Sequence, residues 1–140
     1  MNEALKKAGL ELVFDKACIL VQKIKTIIFE MIYVADEPLV IKFSCYLSNK
    51  LNYNYTYLSN IFKKINGISI ERYIIHEKIE KVKAMLVAED TTLKEIAFQL
   101  NYSSVAHLSA QFKKVTGLRA RDYKFKKSLT YYHLATLNSA

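Results

Sequence analysis

Apolar residues recur at three- and four-residue steps along most of this chain, and that spacing predicts helices. Between Ala17 and Val34, Leu20, Ile24, Ile27, Ile28, Met31 and Ile32 form one stripe, which Ile19 widens. Asp15 stands where an N-cap is expected, and Asp36-Glu37-Pro38 stops the run. Ahead of it, Met1 to Ala8 reads as a short helix stopped by Gly9. Leu10 to Phe14 has partial strand character without a partner strand, as in a remnant of a longer domain.

Further on, Phe43 to Leu51 and Thr56 to Asn66 read as two helices joined by a turn at Asn52 to Tyr55, with Gly67 as the C-cap. In the second of these, Leu58, Ile61, Phe62 and Ile65 share a face. The opposite face carries Thr56, Asn60 and Lys63, with Ser59 and Lys64 on its flanks. Ser69 opens a long helix to about Val87, with Ile75, Ile79, Val82 and Leu86 inward and Glu71, Lys78, Lys81 and Lys83 away from that stripe or at its margin. Some eighteen helical residues span about 27 Å, the length of a spacer. After a break at Glu89-Asp90, Thr92-Leu93-Lys94-Glu95 is a capping-box pattern. It starts a helix with Leu93, Ile96, Ala97 and Leu100 inward. A turn at Asn101 to Ser104 leads to a helix from Val105 to Thr116, closed by Gly117. Here Leu108, Phe112 and Val115 face the core, and Ala106, Ala110 and Lys113 face outward. Arg119 to Lys126 reads as a last short helix, and Ser128 to Ala140 as a frayed or loosely docked tail.

Two of these stretches are copies of one unit. LSNIFKKING, Leu58 to Gly67, returns as LSAQFKKVTG, Leu108 to Gly117. The preceding segments, from Leu47 to Tyr53 and from Ile96 to Tyr102, match at an offset of 49, whereas the trailing parts match at 50. The second copy therefore carries one extra residue in its turn. Each unit is helix, short turn, helix, with a small residue (Ser48 or Ala97) where the two helices cross. The expected class is all-α: two such units joined by a long central helix, with an extra amphipathic helix at the N-terminus. The expected boundaries are 1–38 for the N-terminal segment, 39–127 for the repeat region (units 42–67 and 92–126, linker helix 69–88) and 128–140 for the tail.

Composition agrees with helices: the chain has one proline, three glycines and 51% apolar residues among 140. Charge adds a function class. Residues 1–40 hold five Lys/Arg against six Asp/Glu, a net of −1, and residues 41–140 hold sixteen against seven, a net of +9. A positive field over the repeat attracts polyanions, nucleic acid or an anionic surface. The most apolar run, Ala17 to Ala35, is broken by Lys23, Lys25 and Glu30, which argues against a membrane span. Cys18 and Cys45 lack a CxxC or histidine partner and read as small buried apolar residues in a reducing compartment, and no secretory signal opens the chain. A cytoplasmic protein is expected.

In a helix-turn-helix the second helix enters the DNA major groove, and two units on a spacer suit successive grooves about 34 Å apart. At this point residues 42–124 resemble the DNA-binding domain of the AraC/XylS family of bacterial transcription regulators. The resemblance is carried by L-x-x-x-F-K-K-x-x-G twice, by Tyr73 and Tyr123 six residues after each glycine, and by I-A-x-x-L-x-Y-S-S from Ile96 to Ser104. It implies promoter binding and transcription control, often activation through RNA polymerase. By position it places base contacts on Thr56, Ser59, Asn60, Ala106, Ser109 and Ala110. Backbone contacts fall on Asn54, Lys63, Lys64, Ser103, Ser104, His107, Lys113 and Lys114. The chain departs from the family pattern at Ala120, where proline is usual, at Lys78 and Lys124, where arginine is common, and at Asn52 and Asn101, where glycine is common. Asparagine tolerates the left-handed backbone that glycine supplies. Two alanines and a serine in the second recognition helix cannot make the bidentate contacts that discriminate bases strongly. The first unit is therefore expected to read bases and the second to hold the backbone.

The rival classes are weaker. His76, His107 and His133 stand apart, and no phosphate-binding glycine loop, nucleophile elbow or metal-ligand cluster is present in the sequence, so neither an enzyme nor a cofactor or metal is expected. Tyr53, matching Tyr102, reads as a structural brace of the turn. The 17–34 helix packs on the first unit or mediates a homodimer, and it would also serve the alternative reading, a helical protein-interaction module without DNA binding.

Overall fold

The structure is a computed structural model that describes residues 2–35, 41–88 and 91–126, with side chains from residue 14 onward. Among these residues the fold is all-α. Its elements are α1 (Asn2–Phe29), which continues as a π-helical turn (Glu30–Val34), α2 (Phe43–Leu51), α3 (Tyr55–Asn66), α4 (Ile70–Val87), α5 (Leu93–Gln99) and α6 (Val105–Thr116). Residues 120–126 form α7 as far as the description extends. The stretches at 36–40 and 89–90 and the tail at 128–140 lie outside the described residues, as does His133. No helix among the described residues is long and apolar enough to cross a membrane.

The N-terminal expectation needs correction. There is neither a strand at Leu10 to Phe14 nor a helix stop at Gly9, because α1 runs unbroken through both, with Asp15 in its interior rather than at a cap. An orphan strand leaves its backbone groups without ladder partners, whereas the helix pairs them internally. One interior glycine costs only about 1 kcal/mol relative to alanine, too little to break a run that is helical on both sides. The stripe stands where expected, with Leu20, Ile24, Ile28 and Ile32 buried, but it is widened by Val21, at 2% exposure, rather than by Ile19, which is exposed at 56%. The helix widens at its end, where Ala35 N–H donates to Glu30 O at 2.8 Å, and Ala35 then turns extended.

The chain forms two compact units, divided between Ile74 and Ile75 within α4. In the first, α1 packs on α3 and α2 on α3. Leu20, Val21, Ile24, Ile28 and Ile32 of the α1 segment are buried, as are Leu47, Leu58, Phe62 and Ile70. In the second, α5 packs on α6, and Ile79, Val82, Leu86, Ile96, Leu100, Leu108, Phe112 and Ala120 are buried. Each fully buried side chain of this size contributes about 1.5–3 kcal/mol through the apolar area it removes from water.

Taken separately, the two units have one construction, and it extends beyond helix-turn-helix. Phe62 meets Tyr73 edge-on, with ring centroids 5.3 Å apart, and Phe112 meets Tyr123 edge-on at 5.6 Å. Lys25 lies over the Tyr73 ring at 5.8 Å, and Lys83 over the Tyr123 ring at 6.0 Å. Val21, Ile24, Lys25 and Ile28 thus stand to the first unit as Ile79, Val82, Lys83 and Leu86 stand to the second, at an offset of 58. The N-terminal helix thus supports the α2–α3 pair of unit one as α4 supports the α5–α6 pair of unit two. Tyr73 and Tyr123 close each unit by packing on the phenylalanine of its second helix.

The cysteines are free, with Cys18 partly exposed and Cys45 exposed on α2, so neither is the buried apolar residue expected. Cys45 is two positions before buried Leu47, about 200° around the helix and therefore on the outer side.

Candidate nucleic-acid interface

Each second helix is set by its caps. Asn52 and Asn101 adopt left-handed backbone, with φ of 58° and 60°, and end the first helix of each unit. Asn54 then caps α3, its Oδ1 accepting from Thr56 N–H at 2.8 Å. Ser104 caps α6, its Oγ accepting from His107 N–H at 3.0 Å. One residue lies between asparagine and cap in the first unit and two in the second, which locates the extra residue of the repeat. The capping box at Thr92 and Glu95 is formed in both directions. At the far ends, Gly67 N–H donates to Lys63 O and Gly117 N–H to Lys113 O, both at 2.8 Å and both with φ near 80°.

The core residues Leu58, Phe62, Leu108 and Phe112 define the opposite, outward faces. On α3, Thr56, Asn60, Lys63 and Lys64 are exposed and Ser59 is partly exposed. On α6, Ala106, His107, Ala110, Lys113 and Lys114 are exposed and Ser109 is partly exposed. The sequence-predicted positions therefore share one face per helix, flanked by the lysine pair. Among the described residues none of these four lysines has an ion-pair partner; the pair observed is Lys83–Glu80 at 3.0 Å. Neither cap exhausts its side chain. The Asn54 amide nitrogen and the Ser104 hydroxyl hydrogen remain able to donate beside the positive end of a helix. Ser103 and His107 differ in being engaged with each other, Oγ to Nδ1 at 3.2 Å.

Some residues that support these faces were not legible beforehand. Tyr55 opens α3 and donates its hydroxyl to Glu71 on α4; burial, then the Glu71 hydrogen bond, then its charge hold the phenol above its usual pKa. No local spacing connects Tyr55 to Glu71. Tyr102 donates to Gln111 Oε1 at 2.6 Å, with Lys78 Nζ 5.3 Å from its ring centroid and His107 edge-on at 5.2 Å. Burial pushes the Tyr102 hydroxyl up to about 12 and lowers the Lys78 ammonium. Tyr102 is thus a brace, as expected. Its counterpart Tyr53 is not: it is 48% exposed and stacked on Tyr57 at 5.3 Å. The turn that carries it is one residue shorter than that of Tyr102.

A unit of this construction is a helix-turn-helix, and the family model described as a helix-turn-helix domain matches residues 47–125. The chain belongs to that family, in its AraC-type branch. Among curated relatives, the chain is 35% identical over 81 residues to YtdP, an uncharacterised HTH-type transcriptional regulator of Bacillus subtilis, covering 58% of this chain and 10% of that protein. The chain therefore spans about a tenth of that relative's length. Among solved structures, it is similar to the C-terminal domain of the two-component response regulator yesN from Fusobacterium nucleatum, with 31% identity and a TM-score of 0.63, covering 74% of this chain and 95% of that one. The DNA-binding domain of AdpA, solved in complex with a target DNA, has a TM-score of 0.63 over 76% of this chain and 90% of that one; at 14% identity it shows the fold alone. Among the described residues, no group of three or more His, Cys, Asp or Glu side chains is placed to hold a metal ion.

Proposed function

We propose that this chain binds double-stranded promoter DNA sequence-specifically and regulates transcription, with α3 and α6 each entering a major groove. The observation that carries the reading is the matched pair of outward faces, small polar or small apolar residues bordered by two unpaired lysines, each backed by a buried Leu–Phe pair. The regulator relatives and the DNA-bound neighbour support it. Thr56, Ser59 and Asn60 supply base contacts, Asn60 through an amide suited to adenine. Ala106, Ser109 and Ala110 offer methyl contacts and a single hydroxyl, so the second unit mainly holds the backbone. Asn54, Ser103, Ser104, His107, Lys63, Lys64, Lys113 and Lys114 meet phosphates. Contact with RNA polymerase and a cytoplasmic location belong to the same proposal through the family. A homodimer through the 17–34 segment would use its outer side, where Phe29 and Val34 are exposed, because the inner stripe is spent on the unit's own core.

Selection of sites from a random duplex library in moderate salt tests the reading. Enrichment of two short boxes about ten base pairs apart supports two reading heads. One enriched box, lost on Asn60→Ala, supports unequal roles. Failure to retain any duplex at low salt favours the protein-interaction module instead.

A further inference from the structure

The shorter turn of the first unit leaves an open groove. It lies between α1 and α3, with a volume of about 1020 Å³, at the upper end of the range of small-molecule sites. The second unit shows what the same place holds when filled. There Tyr102 touches Lys78, Gln111 and His107. The internal correspondence, 58 residues between α1 and α4 and 50 between α3 and α6, maps those three onto Leu20, Ile61 and Tyr57. All three line the groove of the first unit. Tyr53, the counterpart of Tyr102, lines the groove too, 48% exposed and stacked on Tyr57. The ring that meets Lys78 and Gln111 in the second unit is thus half-exposed beside an open groove in the first.

The chemistry of the walls has also changed. Where the second unit has Lys78 and Gln111, the first has Leu20 and Ile61, so the floor offers no partner for a phenol. Around it stand Lys16, Lys23 and Lys64, and no acidic residue is in the lining. We propose that this groove binds a small amphipathic anion, with an apolar ring or chain against Leu20, Ile61 and Tyr57 and one carboxylate or sulfonate held by the lysines. An anion is selected because the cations have no counter-charge of the chain's own within the groove, and an apolar body because burial of that surface drives binding.

The test is fluorescence titration of the full chain with anilinonaphthalene sulfonate and with its uncharged analogue N-phenylnaphthylamine, in the absence of DNA. One saturable site is expected, with the anion bound about tenfold more tightly, the ratio that one charge-assisted contact supplies. Replacing Lys16, Lys23 and Lys64 together by alanine should abolish that ratio while leaving the neutral dye within about twofold. Ile19→Trp, at a wall position that is 56% exposed, should block both dyes while circular dichroism shows the parent helix content. If that variant does not fold, the lysine variant carries the test. Equal affinity for the two dyes, or a preference that survives loss of all three lysines, overturns the proposal. Self-association that Ile19→Trp abolishes, with no dye bound, assigns the groove to a second copy and also overturns it. Because no DNA is present, dye binding and promoter binding succeed or fail separately.

Discussion

Phe112→Ala is the perturbation that most directly probes how the second unit is held. The side chain is fully buried and meets Tyr123 edge-on at 5.6 Å. Truncating a buried phenylalanine costs about 3–5 kcal/mol, and the lost ring pair adds about 0.5–1.5. A chain of this length holds roughly 7–20 kcal/mol at the usual 0.05–0.15 per residue, about half of it in each unit. The variant should therefore lose about 4–6 kcal/mol, between roughly half and all of the second unit's stability. The assay is urea unfolding followed by amide NMR. Resonances of α5 and α6 should collapse at low urea, while Leu47, Leu58 and the other core residues of the first unit keep their dispersion. Phe62→Ala should invert the pattern. A loss below about 1 kcal/mol would refute the packing argument. Uniform loss of all resonances in both variants would refute the division into units.

Three smaller predictions share the same methods. Asn101→Ala should cost about 1 kcal/mol, because only asparagine or glycine takes the left-handed backbone cheaply, whereas Asn101→Gly should be near neutral; urea midpoints separate the two. Ser104→Ala should cost about 1 kcal/mol through loss of the α6 cap, read as a lower Tm, with Asn54→Ala doing the same for α3. Tyr102 keeps its proton up to about 12 when folded, whereas the unfolded chain releases it near 10.0, so stability is intact below the lower value and falls as pH rises between the two. Tyr102→Phe should lessen that alkaline decline, measured as the urea midpoint against pH, and leave the part due to Tyr55, whose phenol is also held above its usual value.

What was legible in the sequence follows the range of the interactions. Capping at Thr92, Gly67 and Gly117, the helix boundaries of both units and the outward faces of α3 and α6 depend on residues a few positions apart, so local pattern sufficed. Even the extra turn residue was visible, as a change of offset from 49 to 50. The longer repeat was not visible, because α1 and α4 share only two lysines, Lys23 with Lys81 and Lys25 with Lys83, and otherwise correspond mainly in apolar character. The Tyr55–Glu71 hydrogen bond and the Lys78–Tyr102 contact join residues far apart in the chain, which no spacing rule addresses. Leu10 to Phe14 misled because five apolar-rich residues fit either period, and only the absence of a partner strand decides between them.

The central claim is that the two lysine pairs meet DNA phosphates, and the salt dependence of duplex affinity tests it most directly. For the parent chain, log affinity against log salt should fall with a slope of at least about −4, near −0.9 for each phosphate neutralised. Replacing Lys63, Lys64, Lys113 and Lys114 by alanine should flatten that slope by about 4, roughly one per lysine, with helix content unchanged. An unchanged slope in the quadruple variant would place the DNA elsewhere on the protein and contradict the account.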